Sequence, residues 1–392
     1  MKLWDTTETG KCCSFVTSTG AEEFFISVTS HPHSPLAEAL ATVTANYDRL
    51  LQTCQLSAVN LVFSRIYLSD IAANHDFLRK SILWECMEQG AVSLVEQPPI
   101  FSGLISLFAY HIRGKETLQK KVLAAQNGEW SNEALVVGSH YTMLWNANYD
   151  GGSVAVDSHR ETKVAFDKLL ASVRRHGLTL LHNGVRTWIF VRDIDTRYHE
   201  MVEARRNFFE QQGLTAQSRY LASTGIEGNS AVPDTTVVLD SLTIGHLQDG
   251  QIVRMQALEH LAPAIKYGVT FERGLRVRFG DRSHLYLSGT ASINSQGEVL
   301  YPGDVCRQTH QTLTNIQALL QNQGASIRDI AYWIVYLRNP GDQDIVRHVM
   351  SDYVPENVPC LYLHASVCRP SWLVEIEGMG LIEDTSDYPP FL

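Results

Sequence analysis

The chain lacks most of the marks by which an activity is easily recognised. None of its seven cysteines (Cys12, Cys13, Cys54, Cys86, Cys306, Cys360 and Cys368) forms a CxxC pair, which removes the spacing of a zinc knuckle or a thioredoxin-like site. Their scatter fits reduced thiols in a cytoplasmic protein. No apolar run reaches the roughly 20 residues a bilayer-spanning helix needs. The opening MKLWDTTETGKCC has no apolar stretch of the signal-peptide kind, so a soluble, cytoplasmic chain without a membrane partner is expected. Charge is not clustered either. The net charge is −10 with no block of like sign, and without a basic face there is no electrostatic footprint for nucleic acid. No glycine fingerprint follows a strand and no P-loop occurs, so neither a nucleotide cofactor nor a metal is implied.

What is present is a unit written three times. Ala41–Asp70 reads ATVTANYDRLLQTCQLSAVNLVFSRIYLSD, Val164–Asp193 reads VAFDKLLASVRRHGLTLLHNGVRTWIFVRD, and Gln311–Asn339 reads QTLTNIQALLQNQGASIRDIAYWIVYLRN. Each is a helical stretch, a turn and an apolar strand, with Tyr67, Phe190 and Tyr336 at matching strand positions. The spacing between copies far exceeds the roughly 20–50 residues of solenoid repeats. With 392 residues and 44% hydrophobic content there is material for two or three cores. The expected fold is α+β: three tandem units (1–114, 115–250 and 251–392), each a mixed sheet with helices on one face, arranged as a pseudo-trimer with clefts between units. The expected state is a monomer or low-order oligomer.

Period and punctuation place the elements. The first unit reads as strand 24–30, helix 35–54, strand LVFSRIYLSD, a second helix 72–89, the turn EQPPIFSG and the strand ISLFAYHI. Residues 115–131 read as a polar connector. The second unit opens with the strand LVVGSHYTMLW and the turn NANYDGG, and its helices 159–176 and 198–212 stop at Gly177 and Gly213. The third has the strand pair RGLRVRFG and HLYLSGTASI, a helix 306–323 followed by Gly324, and the strands CLYLHASV and WLVEIEGMGLI. The acidic tail after Ile382 reads as flexible.

Polar residues concentrate in HASVCRPSWLVEIEG. Glu375 and Glu377 alternate onto one face of a strand. Either that face is a hydrated sheet edge, or it is buried and the carboxyls are paired with arginine or held as an acid of raised pKa. Cys368 reads first as a small buried hydrophobe and second as a nucleophile, for which neither His364, four residues upstream, nor His284, at a strand start, is a clear general base. The second unit carries Arg186, Arg192, Arg205 and Arg206, suited to carboxylates unless they pair with surface acids such as Asp193, Asp195 and Glu203. Its loop STGIEG (Ser223–Gly228) is able to offer backbone N–H groups to an anion. The corresponding EQPPIFSG of the first unit has only Glu96 and reads as structural.

LYLSGTASIN, the PGD turn, Gln308 and Asn315 on their helix, and the closing VEIEG resemble the Rid (YjgF/L-PSP endoribonuclease-like) family over nearly all of the third unit, with weaker echoes in the other two. Members are typically homotrimers with ligand clefts between subunits, so the resemblance implies a single-chain version of that trimer. Imine-deaminating members hold substrate with an arginine upstream of the first glutamate of VEIE; that place falls near Cys360, and no arginine stands there. RTW followed by a helix with ARR, the STGI loop, SGTASI with a following GD, and CRP…LVEIEG together resemble the chorismatases, from about Arg186 to Gly378. That likeness implies general acid attack on the enol-pyruvyl ether of chorismate or a similar small anionic substrate. It implies Glu375 and Cys368 as catalytic residues, and Arg186, Arg205, Tyr198, Ser223, Thr224, Gly225 and Arg369 as substrate-binding ones. A Rid-type 2-imino acid deaminase and a non-catalytic small-carboxylate binder are the alternatives.

Overall fold

A computed structural model describes residues 1–18, 20–101, 103–114, 118–124, 131–152, 157–232 and 234–392. The long helices form where apolar residues recur at helical spacing. Leu36–Thr53 buries Leu40, Val43, Tyr47 and Leu50 on one stripe. Ser158–Arg175 starts where the Asp157 carboxylate accepts the Arg160 N–H and carries Arg174 and Arg175 in its last turn, opposite charges at opposite ends of the helix dipole. Val305–Gln321 is capped in the same way by Asp304. Each ends on a left-handed residue, Gly177 and Gly324 in the later copies and Gln55 in the first.

Each helix covers one face of a six-stranded sheet, and the three sheets share one strand order. In chain order within each unit it is 1-2-3-6-4-5, antiparallel except for the last pair: Leu61–Leu68 with Ala91–Glu96, Gly184–Val191 with Ala222–Glu227, and Ile330–Leu337 with Cys360–His364. That parallel edge strand leans on the next sheet in cyclic order. Ala91–Glu96 meets Ser131–Val137 and Thr142–Asp150 of the second unit, Ala222–Glu227 meets Arg282–Thr290 of the third, and Cys360–His364 meets Glu22–Thr29 of the first. The inner faces join in one aromatic centre, with Phe63 against Trp145 (4.5 Å), Trp145 against Trp188 (6.0 Å) and Phe108 against Tyr332 (4.4 Å). A fully buried Phe contributes about 1.5–3 kcal/mol and an exposed ion pair about 0–1 kcal/mol. The shared core, not the surface charge, therefore holds the units together.

Several expectations need correction. The polar stretch 115–131 contains a strand, Gln119–Ala124, whose Lys120 donates to the carbonyls of Val59 (2.9 Å) and Leu61 (2.6 Å) of the first unit; residues 115–117 and 125–130 of that stretch lie outside the described residues. LVVGSHYTMLW is the body of a hairpin, Ser131–Val137 and Thr142–Asp150, turned where Gly138 N–H meets the Tyr141 carbonyl (2.9 Å). Most of NANYDGG is therefore strand. The second helix of the first unit is two, Ile71–Leu78 and Ile82–Met87, because Ser81 stops to cap the latter. The tail is docked: Asp384 accepts Arg276, Arg278 and Ser283, which hold its carboxyl well down, and Phe391 is buried beside His284.

Candidate active site

The strand Val374–Glu383 lies between Arg282–Thr290 and Ile330–Leu337. Both its edges are paired, so the glutamates sit in the interior and not on a hydrated edge. Glu375 stands opposite Tyr336 and Glu377 opposite Ile334, on one face, and they are 5% and 1% exposed.

Their environments differ completely. Glu377 is met by Arg186 Nη2 (2.7 Å), Trp188 Nε1 (2.9 Å), Tyr336 OH (3.1 Å) and the Thr224 hydroxyl. Among the described residues no donor reaches Glu375. Burial, and then the charge of Glu377, push its carboxyl up to about 8, against the pull of Arg186 and Arg273. At neutral pH the carboxyl is an acid holding its proton.

Glu375 opens into a cavity between the second and third units. Seven expected residues converge on it: Tyr198, Arg205, Ser223 and Gly225 from the second unit, Cys368, Arg369 and Glu375 from the third. Helix Ile194–Gln211 presents Tyr198 and Arg205, and strand Ala222–Glu227 presents Ser223 and Gly225 on its alternating face. Arg205 is 1% exposed; its Nε donates to Thr270 (3.3 Å) while Nη2 has no partner among the described residues. An unpartnered buried guanidinium nitrogen beside a cavity is a ready seat for a carboxylate oxygen. Burial, and then Glu375, push the Cys368 thiol up to about 12, with a hydrogen bond to Tyr198 opposing. Cys368 therefore faces the cavity as a thiol, which does not suit a thiolate nucleophile.

Two expected binding residues are elsewhere. Arg186 spends its guanidinium on Glu377 and is 2% exposed. Thr224, one residue out of phase with Ser223 and Gly225, points to Glu377. Cys360 lines a separate surface cleft with Lys11 and Arg347, so its lack of an arginine does not bear on the Glu375 cavity.

Sequence reasoning missed Arg273, Phe271, Trp372 and Gly289 in the lining. Arg273 stacks on Phe271 (5.3 Å) and Arg369 on Trp372 (4.6 Å). Gly289 had a signal, a glycine inside a strand, which marks close approach: a Cβ there would lie 2.0 Å from Glu375 Oε1. The cavity is tight, about 40 Å³, room for roughly two or three waters. Among the described residues no group of three or more His, Cys, Asp or Glu is placed to hold a metal ion, and no helix is long and apolar enough to cross a membrane.

Comparison with known proteins bears on the family and the fold. The endoribonuclease L-PSP family model matches residues 277–382. Over 97 residues the chain is 30% identical to the 3-aminoacrylate deaminase RutC of Acinetobacter baylyi, which is 24% of this chain and 77% of that protein. Over 217 residues it is 26% identical to the 3-hydroxybenzoate synthase of Streptomyces hygroscopicus, 50% of this chain and 62%, under two thirds, of that protein. A chorismatase crystal structure superposes with a TM-score of 0.62 at 16% identity, covering 97% of this chain and 99% of that one. At that identity the likeness is one of fold: three mixed sheets with helices in a single chain.

Proposed function

The chain belongs to the Rid (endoribonuclease L-PSP) superfamily, close to the chorismatases, and from that premise we propose that it cleaves the enol-pyruvyl ether of chorismate or a similar small carboxylate, with Glu375 as general acid. One juxtaposition carries the reading: a carboxyl that keeps its proton at neutral pH lines the same small cavity as Arg205, whose Nη2 has no partner among the described residues.

The chemistry follows from those groups. Glu375 delivers its proton to the CH₂ carbon of the enol ether, and the ether carbon becomes an oxocarbenium centre. Water adds to that carbon and gives up a proton to the Glu375 carboxylate; the bond from the hemiketal carbon to the ring oxygen then breaks, the hemiketal hydroxyl proton passes to that oxygen, and pyruvate and a ring alcohol are released. Alternatively a substrate hydroxyl displaces the oxocarbenium oxygen from its ring carbon, gives up its proton to the Glu375 carboxylate and releases pyruvate directly. Arg205, Arg273 and Arg369 offer positive charge for substrate carboxylates. Phe271 and Trp372 offer apolar faces to a ring. The cyclic contacts of the three sheets support taking the chain as a one-chain counterpart of a trimer.

The test is pyruvate release from chorismate by the wild-type protein, with release from Glu375→Gln expected to fall by about 10²–10⁴-fold. A wild type that releases no pyruvate overturns the chorismate reading. A second reading, 2-imino acid deamination, draws on the likeness to RutC over 97 residues; ammonia release from freshly generated imino acids, lost in Glu375→Gln, would support it instead.

A further inference from the structure

The acid does not act in isolation from the carboxylate beneath it. Glu377 is two residues further along the same strand face and takes four donors, while among the described residues Glu375 takes none. Trp188 and Arg186 have no capacity to accept a hydrogen bond, so Glu377 meets them as an acceptor through both of its oxygens. Thr224 connects the two glutamates. Its hydroxyl is bonded to Glu377 and accepts the Gly289 N–H (2.9 Å), and Gly289 is the residue against which the Glu375 carboxyl rests. The other charged or titratable groups around Glu375 are Tyr198, Arg205 and Arg186 from the second unit, with Arg273, Cys368 and Arg369 from the third.

Two carboxyls on one face of a dry strand do not both ionise freely, and the proton stays on the one with the poorer partners. A buried ion pair is seldom retained for stability, because apolar replacement of both partners is often neutral or stabilising. We propose that Glu377 is a positioning residue for the reaction. Its charge, clamped by Arg186 and Trp188, keeps the proton on Glu375, and its link through Thr224 to Gly289 fixes where that acid stands. The proposal rests on the reading of Glu375 as the acid.

The test follows the Glu375 carboxyl directly, by carbon-13 NMR of glutamate-labelled protein with Glu375→Gln assigning the signal, beside the pH profile of pyruvate release. In Glu377→Gln the titration midpoint of Glu375 falls by about one unit or more, and the alkaline limb of the activity profile moves with it. In Glu377→Asp, which keeps the charge, the midpoint stays raised. An unmoved midpoint in Glu377→Gln overturns the proposal, as does an equal fall in Glu377→Asp. If Glu377→Gln does not fold, Arg186→Gln/Glu377→Gln removes both charges together; a smaller fall is expected, and no fall is the overturning result. The carboxyl titration needs no substrate, so a protein that releases no pyruvate yet shows the shift defeats the enzyme reading alone.

Discussion

The three junctions between units are built from equivalent strands and have three different fates. Opposite the repeated aromatics Tyr67, Phe190 and Tyr336 stand Ser106, Val238 and Glu375. Two residues further along, opposite Arg65, Trp188 and Ile334, stand Phe108, Asp240 and Glu377. At the first–second junction Arg65 pairs with Asp240 (2.7 Å). The Asn148 amide fills the space there by bonding the Leu94 N–H (2.5 Å) and carbonyl (3.0 Å). At the third–first junction an aromatic pair, Phe108 and Tyr332, replaces the ion pair, and the loop after Glu96 bonds across, Ile100 N–H to the Tyr362 carbonyl (3.0 Å) and His364 N–H to the Pro98 carbonyl (2.8 Å). Of the two junction strands that bulge, the one at the second–third junction carries a glycine, Gly289, where that of the second unit has Asn148; Glu22–Thr29 of the first pairs without a bulge. The space so left holds the Glu375 carboxyl. Strands in the same order thus give one acid site and two junctions sealed at that position, and the difference lies in side chains at two or three positions and in the bulge that Glu22–Thr29 lacks.

That contrast can be broken at its strongest point first. Glu375→Gln is expected to lower pyruvate release by about 10²–10⁴-fold with the thermal midpoint kept, whereas Ser106→Ala at the equivalent position leaves release unchanged. Equal losses in both would erase the distinction between junctions. Next is the sealed seam. Arg65→Met strands the Asp240 charge and costs about 3–5 kcal/mol of unfolding free energy in a urea titration, while Arg65→Met/Asp240→Leu recovers most of it.

The glycine sharpens the comparison further. Gly289→Ala forces the Glu375 carboxyl to shift, at about 1–3 kcal/mol of stability and with loss of turnover. Asn148→Gly leaves the Leu94 backbone groups unpaired at a similar cost, with turnover intact. A fully active Gly289→Ala would show that the close approach is immaterial.

Since the acid form of Glu375 acts, release falls about tenfold per pH unit above pH 8. Its folded pKa lies above the unfolded value, so the stability it confers is present below about 4.5 and is lost as pH rises through about 8. Denaturation midpoints of wild type relative to Glu375→Gln should drop across that window, and a constant difference would contradict the raised pKa. The smallest effect belongs to the exposed pair across the open junction, Arg338 and Asp195 (2.8 Å): Asp195→Asn is expected to change stability by about 0–1 kcal/mol.

Much of this was legible in the residues themselves. The repeated helix and strand showed because apolar spacing is a local property, and so did the helix ends at Gly177 and Gly324. Seven of the nine expected site residues meet at one cavity. Arg186 and Thr224 missed because strand alternation and a partner from another unit decide where a side chain points, and the motifs do not encode that partner. Arg273 and Phe271 escaped because they lie in a strand lead-in with no motif of their own. The docked tail was misread because its acidic composition is that of a free end, while Asp384 and Phe391 find arginines and aromatic rings more than 100 residues away in sequence.

The sequence by itself determined the three-unit architecture, the α+β layers and the segments that carry the polar residues, since these follow from period, punctuation and recurrence along the chain. Only the tertiary structure decided that the two glutamates, a single residue apart, take opposite roles. Among the described residues Glu377 receives four donors drawn from two units and Glu375 none. In a dry interior, the supply of donors determines which carboxyl keeps its proton.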